Sequence, residues 1–333
     1  MIELKTPRGL NVNVPEYIYE DPSLKFDINQ KESILDYYEI NGYVIVKKVF
    51  SSNDCLKIIN LWNSEIKPSQ AYMYRQATAK TEKHIFNING WIMNPILNLQ
   101  SINPFLFPNF RFFSTNNFLA SKALFSIFST LFSDSPKIVQ SMFFEGNSVT
   151  WEHQDTYYLD SEHIGTMAAA WIALEDISAT AGRFFICPKS HKINLIKQNL
   201  SNNIVDFHEK YISEIVDIVK HNQLEIRAPF LEIGDVLFWN SKTIHGSLDT
   251  QDKKSTRMSI TCHAIPKDHN LLQFQNRIIK CNTRKINNTQ IYAPKDLSLL
   301  HNRIIMSIES YFPKVFYLLK NLIIKILIFK TRF

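Results

Sequence analysis

The second half of the chain constrains the fold most. Between residues 137 and 265 it is written in short apolar runs of strand length, "KIVQSMFFEG", "TMAAAWIAL", "RFFIC", "DVLFW" and "RMSITCHAI", each bounded by Gly, Asp, Ser or Pro. β-branched and aromatic residues dominate these runs, as suits a pleated, half-buried surface. No helix alternates with them at the spacing of a parallel α/β sheet. Many short strands without that alternation predict a mainly β chain, a sandwich or jelly roll. One helical insert, "NIVDFHEKYISEIVDIVKHN", is expected near 203–222.

Ahead of the β runs, "QKESILDYYEINGYVIVKKVFSSNDCLKIINLWNSEI" reads as helix, strand, helix. Gly42 ends the first helix, and Ser51 to Asp54 offer capping chemistry for the second. From about 70 to 135 the text is rich in aromatics and asparagine, with weak periodicity. The four cysteines (Cys55, Cys187, Cys262 and Cys281) are widely spaced. That spacing excludes a zinc knuckle and a disulfide-stapled scaffold. The N-terminal "MIELKTPRGL" carries charges where a signal peptide needs an apolar run, so a cytoplasmic setting is expected. Net charge is +6 over 333 residues, with no long Lys/Arg run. The excess is read as solubility and a preference for anionic surfaces, not as a nucleic-acid footprint.

Within this β-rich half, "TWEHQDTYYLD" places His153 and Asp155 two residues apart. On one strand, residues i and i+2 point the same way, so an imidazole and a carboxylate aim at one point. Alone the pair is a common surface feature. A third ligand is available in "GDVLFWNSKTIHGSLD", where His245 follows a strand and precedes Gly246. Two His and one carboxylate leave three positions of an octahedral ion open, the arrangement of non-haem Fe(II) oxygenases. Such a centre needs an anchor for an anionic co-substrate. Arg257, twelve residues after His245, offers a planar fork for a carboxylate. Ser259 and Ser247 can add hydroxyls. The remaining histidines, His263 among them, lack a carboxylate at ligand spacing and read mostly as surface residues.

These separated motifs, in this order, resemble the phytanoyl-CoA dioxygenase family of Fe(II)/2-oxoglutarate oxygenases. The HxD pair comes first, Trp171 eighteen residues after His153, then "AGRFFICPKSHK", "GDVLFWNSKTIHGS" and the Arg before "MSITCHA". The resemblance covers about 137–265 closely, with a weaker match upstream. It implies a double-stranded β-helix (jelly roll, cupin-like) core with flanking helices. It also implies iron held by His153, Asp155 and His245, and 2-oxoglutarate paired with Arg257. Gln154, Trp171 and Ser247 match further co-substrate positions. Gly182 and Pro188 match turn residues of the family, while Ala181 and Lys189 stand where Asn and Gly are usual. Because the carboxylate ligand is present, hydroxylation is favoured over halogenation. The implied reaction consumes dioxygen and 2-oxoglutarate, releases succinate and carbon dioxide, and oxidises a C–H bond of the substrate.

The expected organisation is one domain over 1–312, with the β-helix core at about 137–265 and a helical region at 28–135. An apolar and basic C-terminal helix follows over 313–333. Tyr157 and Tyr158 are expected at the substrate, and Arg75 and Arg183 are candidates for an anionic group on it. The substrate class is a small or lipid-like molecule; a CoA thioester is not expected. The run Val315–Phe329 is interrupted by Lys320, Asn321 and Lys325. Drawn as a helix, Lys314, Asn321, Lys325 and Arg332 form one stripe. It is too short and charged for a membrane span. Peripheral contact with a membrane surface and packing on protein both remain open. Two rivals to the oxygenase also stand. One is a non-catalytic binding protein of the same fold, and the other a cupin-like enzyme with another metal, which would not need Arg257.

Overall fold

The computed structural model describes residues 1–193 and 204–330. Its centre is two facing, mostly antiparallel sheets, as expected for a jelly roll. Eight strands make this core: β1 (Tyr43–Val46), β2 (Pro136–Phe144), β3 (Thr150–His153), β4 (Ala168–Ala173), β5 (Phe184–Ile186), β6 (Val236–Asn240), β7 (His245–Ser247) and β8 (Ser259–Pro266). The larger sheet runs β2-β8-β4-β6-β1. It is extended beyond β1 by Lys25–Phe26 and beyond β2 by the hairpin Thr283–Ile286/Thr289–Tyr292. The smaller sheet runs β5-β7-β3.

Pairing register decides what faces the space between the sheets. Trp239 pairs with Ala169, and Ala169 pairs with His263 across β4. One step along, Leu237, Trp171 and Thr261 form the neighbouring row. Tyr43, Ile45, Ala169, Trp171, Leu237, Trp239 and Phe184 belong to one buried cluster, while Val44, Val46, Ala170, Ile172 and Phe238 belong to another. Side chains alternate along each strand, so a shift of one residue would exchange these two sets.

Helices cover the outer face of the larger sheet. α1 (Lys31–Asn41) buries Ile34 and Tyr38, one turn apart, and stops at Gly42, whose φ of 76° is left-handed. α2 (Ser52–Leu61) starts where Ser51 accepts a hydrogen bond from the Asp54 amide, and it continues through a π turn to Ile66. Cys55, Ile58, Trp62 and Ile66 repeat at helical spacing and are all buried. α3 (Pro108–Phe113) and α4 (Lys122–Phe132) follow, and Phe128 of α4 meets Phe238 of β6 edge to face at 5.3 Å. The expected helical region is interrupted, however. Met73–Tyr74, Thr81–Glu82 and Ile96–Leu97 are short extended pairs, where asparagines and Gly90 favour turns over helix.

On the outer side of the smaller sheet, α5 (Ile204–His221) packs Ile215 and Val219 near Cys187 and Ile244. The N-terminal hairpin Ile2–Lys5/Asn11–Val14 covers Phe185 and Leu248. The described chain ends in α6 (Leu300–Tyr311) and α7 (Pro313–Lys330), divided by the proline. Among the described residues no helix is long and apolar enough to cross a membrane. Of the expected basic stripe, the Lys325 side chain and Arg332 lie outside the described residues. All four cysteines are free, three of them buried.

The turn into β6 shows how closely the helical layer meets the sheet. Gly234 has φ +86°, and a Cβ there would stand 2.1 Å from the backbone oxygen of Phe50. Gly234→Ala is therefore expected to cost about 2–3 kcal/mol of stability, read as a shift of the denaturation midpoint. An unshifted midpoint would contradict this packing.

Candidate metal centre

β3 and β7 are neighbours, and His153 pairs directly with His245 in their register. Both side chains point between the sheets, with ring centroids 4.3 Å apart. β3 ends at His153, and Asp155 begins a 3-10 turn that runs to Tyr157. The expectation of one strand carrying both ligands is thus corrected. Asp155 reaches the same point because the turn folds its carboxylate back into the gap. Its Oδ1 lies 3.7 Å from His153 Nε2 and 3.5 Å from His245 Nε2. One ligand atom from each of the three residues falls within 4.8 Å of the other two, and all three residues are buried.

The tautomers suit metal binding. His153 Nδ1 donates to the Trp151 carbonyl at 2.8 Å, and His245 Nδ1 donates to the Thr243 carbonyl at 2.9 Å. With Nδ1 carrying the proton, each Nε2 offers a lone pair to the centre. Burial, with the nearby His245 imidazole, lowers the pKa of His153 and keeps it neutral. Burial pushes Asp155 the other way. The facing imidazoles of His245, His263 and His153 outweigh it and hold the carboxyl well below its usual range. The donor set is two imidazoles whose Nε2 atoms face the centre and an ionised carboxylate, which fits a divalent ion with an open face.

Two further residues hold Asp155, and neither was expected from sequence. Trp239 Nε1 donates to Asp155 Oδ2 at 2.8 Å, and His263 Nε2 lies 3.5 Å from the same oxygen. Trp239 and His263 flank Ala169 in one row of the larger sheet, where the alanine methyl leaves room for the carboxylate. His263 is buried, contrary to its reading as a surface residue. Its signal was present in "SITCHAI": two steps from Thr261 and four from Ser259, it shares their inward face.

The co-substrate candidates gather at the next rows. Arg257 is buried, just ahead of β8, with its guanidinium 5.6 Å from the Phe144 ring and 5.9 Å from the Trp171 ring. Its Nη1 donates to the Gly182 carbonyl at 3.0 Å, while its Nε is buried without a partner. Burial lowers its pKa to about 10, leaving it charged at neutral pH. A buried cation with an unused donor fits a carboxylate ligand. The other polar candidates are engaged within the fold. Ser259 Oγ donates to the Arg257 carbonyl, Ser247 Oγ accepts from the Thr150 amide, and Gln154 Nε2 donates to the Lys242 carbonyl.

The substrate candidates divide. Tyr158 meets the His153 ring edge to face at 5.8 Å, and its hydroxyl accepts from Trp151 Nε1. Tyr157 is fully buried and stacks on Tyr211 of α5 at 3.8 Å. The structure does not bring Arg75 or Arg183 to the centre. Arg75 is buried among the Glu82 and Asn94 carbonyls and His84 Nδ1. Burial, helped by the Arg75 charge, lowers His84 to about 4, so its ring accepts from the guanidinium. Arg183 donates to the Ile177 and Pro15 carbonyls and lies over the Phe230 ring. It neighbours Phe184, which stacks on His245 at 5.3 Å, so alternation turns the arginine outward.

Comparison with known proteins gives concordant results. The model of the phytanoyl-CoA dioxygenase family matches residues 38–258. Phytanoyl-CoA dioxygenase 1 of Oryza sativa subsp. japonica is 29% identical over 144 residues, 42% of this chain and 48% of the rice protein. The match therefore spans about half the length of that relative. Among solved structures, the non-haem alpha-ketoglutarate-dependent carbocyclase SnoK from nogalamycin biosynthesis aligns with a TM-score of 0.53 and 16% identity. It covers 74% of this chain and 89% of its own. The epimerase SnoN, in complex with Fe3+, alpha-ketoglutarate and nogalamycin RO, aligns with a TM-score of 0.55 and 13% identity, over 81% and 97%. At these identities the two structures speak for the fold alone.

Trp239→Phe keeps the ring and removes the donor to Asp155. Fe(II) affinity is expected to fall about 10- to 100-fold, measured by competition with a chromogenic chelator. Unchanged affinity would show that the indole does not orient the ligand.

Proposed function

Because the chain belongs to the phytanoyl-CoA dioxygenase family, whose model spans residues 38–258, we propose that it is an Fe(II)/2-oxoglutarate-dependent hydroxylase. Its substrate would be a small or lipid-like molecule, oxidised at a C–H bond. The observation that carries this reading is the meeting of His153 Nε2, Asp155 Oδ1 and His245 Nε2 at one buried point. Arg257, with its unpartnered Nε, supports the co-substrate half. Bound iron would activate dioxygen there at the expense of 2-oxoglutarate, which leaves as succinate and carbon dioxide.

The chain's own residues supply geometry and shielding. The two Nδ1 bonds to backbone carbonyls fix both imidazole planes before metal arrives. Arg257 would take the distal carboxylate of 2-oxoglutarate, with Trp171 and Phe144 keeping water from that pair. Tyr158 and Trp151 stand beside His153, where a substrate would approach the open face. Asp155 fills a coordination position that halogenation would need for chloride. Peripheral membrane contact through the C-terminal helix is consistent with a lipid-like substrate.

The test is anaerobic addition of Fe(II) and 2-oxoglutarate to metal-free protein. A visible charge-transfer band from the chelate is expected. Asp155→Ala should abolish it, and Arg257→Ala should raise the 2-oxoglutarate concentration needed by about 10- to 100-fold, the value of a charged hydrogen-bonded pair. No band in folded wild type would sink the oxygenase reading and promote the non-catalytic binding protein. Product analysis then separates hydroxylation from the epimerisation and ring closure named for the two solved neighbours.

A further inference from the structure

The described C-terminal helices carry an exposed apolar surface out of proportion to the rest of the molecule. Along α6 and the Phe312 that caps it, Leu300, Ile304, Ile308 and Phe312 repeat every four residues, each 40–64% exposed. On α7, Leu318 and Leu322 continue the exposed series at 62% and 48%. Soluble surfaces scatter such residues singly, and a continuous stripe over two helices marks a contact site. A third element joins it from far away in the sequence. Phe105 and Leu106 are exposed on the turn before α3, and Arg303 of α6 lies over the Phe105 ring at 4.6 Å.

Exposed charge on the two helices has one sign, and the acid beside them, Glu82, is half-buried in a groove it shares with Lys80 and Lys314. Over residues 299–322 the acidic residue is Glu309. It is buried on the inner side of α6, accepting hydrogen bonds from Tyr74 and Tyr317. Lys314 and Lys320 are exposed on α7. An apolar band with a basic border and no exposed acid matches an anionic lipid surface, where aliphatic side chains enter the acyl boundary and lysines meet headgroups. A second copy of the chain is a poorer match. A two-fold contact would bring the same basic border of both copies together, with no exposed acid to pair it.

We propose that α6, α7 and the Phe105–Leu106 turn form one composite docking surface that seats the protein on an anionic phospholipid bilayer. Among the described residues no helix is long and apolar enough to cross, so both helices would lie in the interface. This deepens the membrane contact of the proposed function and rests on that part of it, not on the iron chemistry.

The test uses the full chain with sedimenting phosphatidylcholine vesicles, with and without phosphatidylserine. Binding that needs phosphatidylserine and weakens with salt is expected. Ile304→Glu/Leu318→Glu and Lys314→Glu/Lys320→Glu should each weaken it about tenfold or more. Phe105→Asp, outside both helices, should weaken it too. Wild type left in the supernatant overturns the proposal. So does a dimer in light scattering that Ile304→Glu/Leu318→Glu splits, which would assign the face to a second copy. Full binding by Phe105→Asp would overturn the composite surface. The Fe(II)/2-oxoglutarate band should persist in every variant, so loss of membrane binding and failure of the oxygenase reading are told apart.

Discussion

A carboxylate buried between two sheets organises this protein. Taking an ionised group out of water costs several kcal/mol unless donors or an opposite charge meet it. Asp155 is met from both sides. Trp239 and His263 approach Oδ2 from the larger sheet, and His153 and His245 approach Oδ1 from the smaller one. The spacing of the sheets, the small residue at Ala169 and the pairing of His153 with His245 all answer to that one group. If β6 or β8 moved by one residue, its donor would turn to the outer face and leave the carboxylate short of partners.

Arg257 is the complementary case. It is a buried cation whose fork is only partly used, by the Gly182 carbonyl, with aromatic rings alongside. The protein thus keeps an anion and a cation buried on neighbouring rows of the same sheets without a full-charge partner for either. A divalent metal ion would answer the first and a dicarboxylate the second, and a ligand that binds the folded state alone also stabilises it. Of the other buried arginines, Arg111 pairs with Asp296, while Arg183, like Arg257, keeps one nitrogen buried without a partner. Arg75 and Arg183 spend donors on backbone carbonyls and serve to close loops.

Outside the cleft, the layers have separate roles. α1, α2 and α4 seal the back of the larger sheet, and α5 with the N-terminal hairpin backs the smaller one. α6 and α7 contribute few buried apolar residues. Their apolar faces point to solvent, on an edge remote in sequence from the metal strands. Lys189 shows how a departure from the family pattern is absorbed. It adopts the left-handed conformation (φ 66°) expected of the glycine usual there, and its amide donates to the Asn41 carbonyl at the end of α1. The turn keeps its path despite the side chain.

What the sequence determined by itself was local pattern. Strand-length apolar runs predicted the jelly roll, Gly42 and Ser51 marked helix ends, and the order of His153, Asp155, His245 and Arg257 pointed to one chemistry. The jelly roll and the helix ends survive, and three of those site residues meet, because each depends on residue type and spacing along the chain. The tertiary structure alone decided which polar residues meet. Asp155 lies in a 3-10 turn and still reaches the centre, and Trp239 and His263 hold it from strands remote in sequence. Gln154, Ser247 and Ser259 are engaged by backbone groups that no spacing rule reveals. Burial and register depend on all the strands at once, so a side chain's partner is a property of the packed sheets and not of its neighbours in the chain.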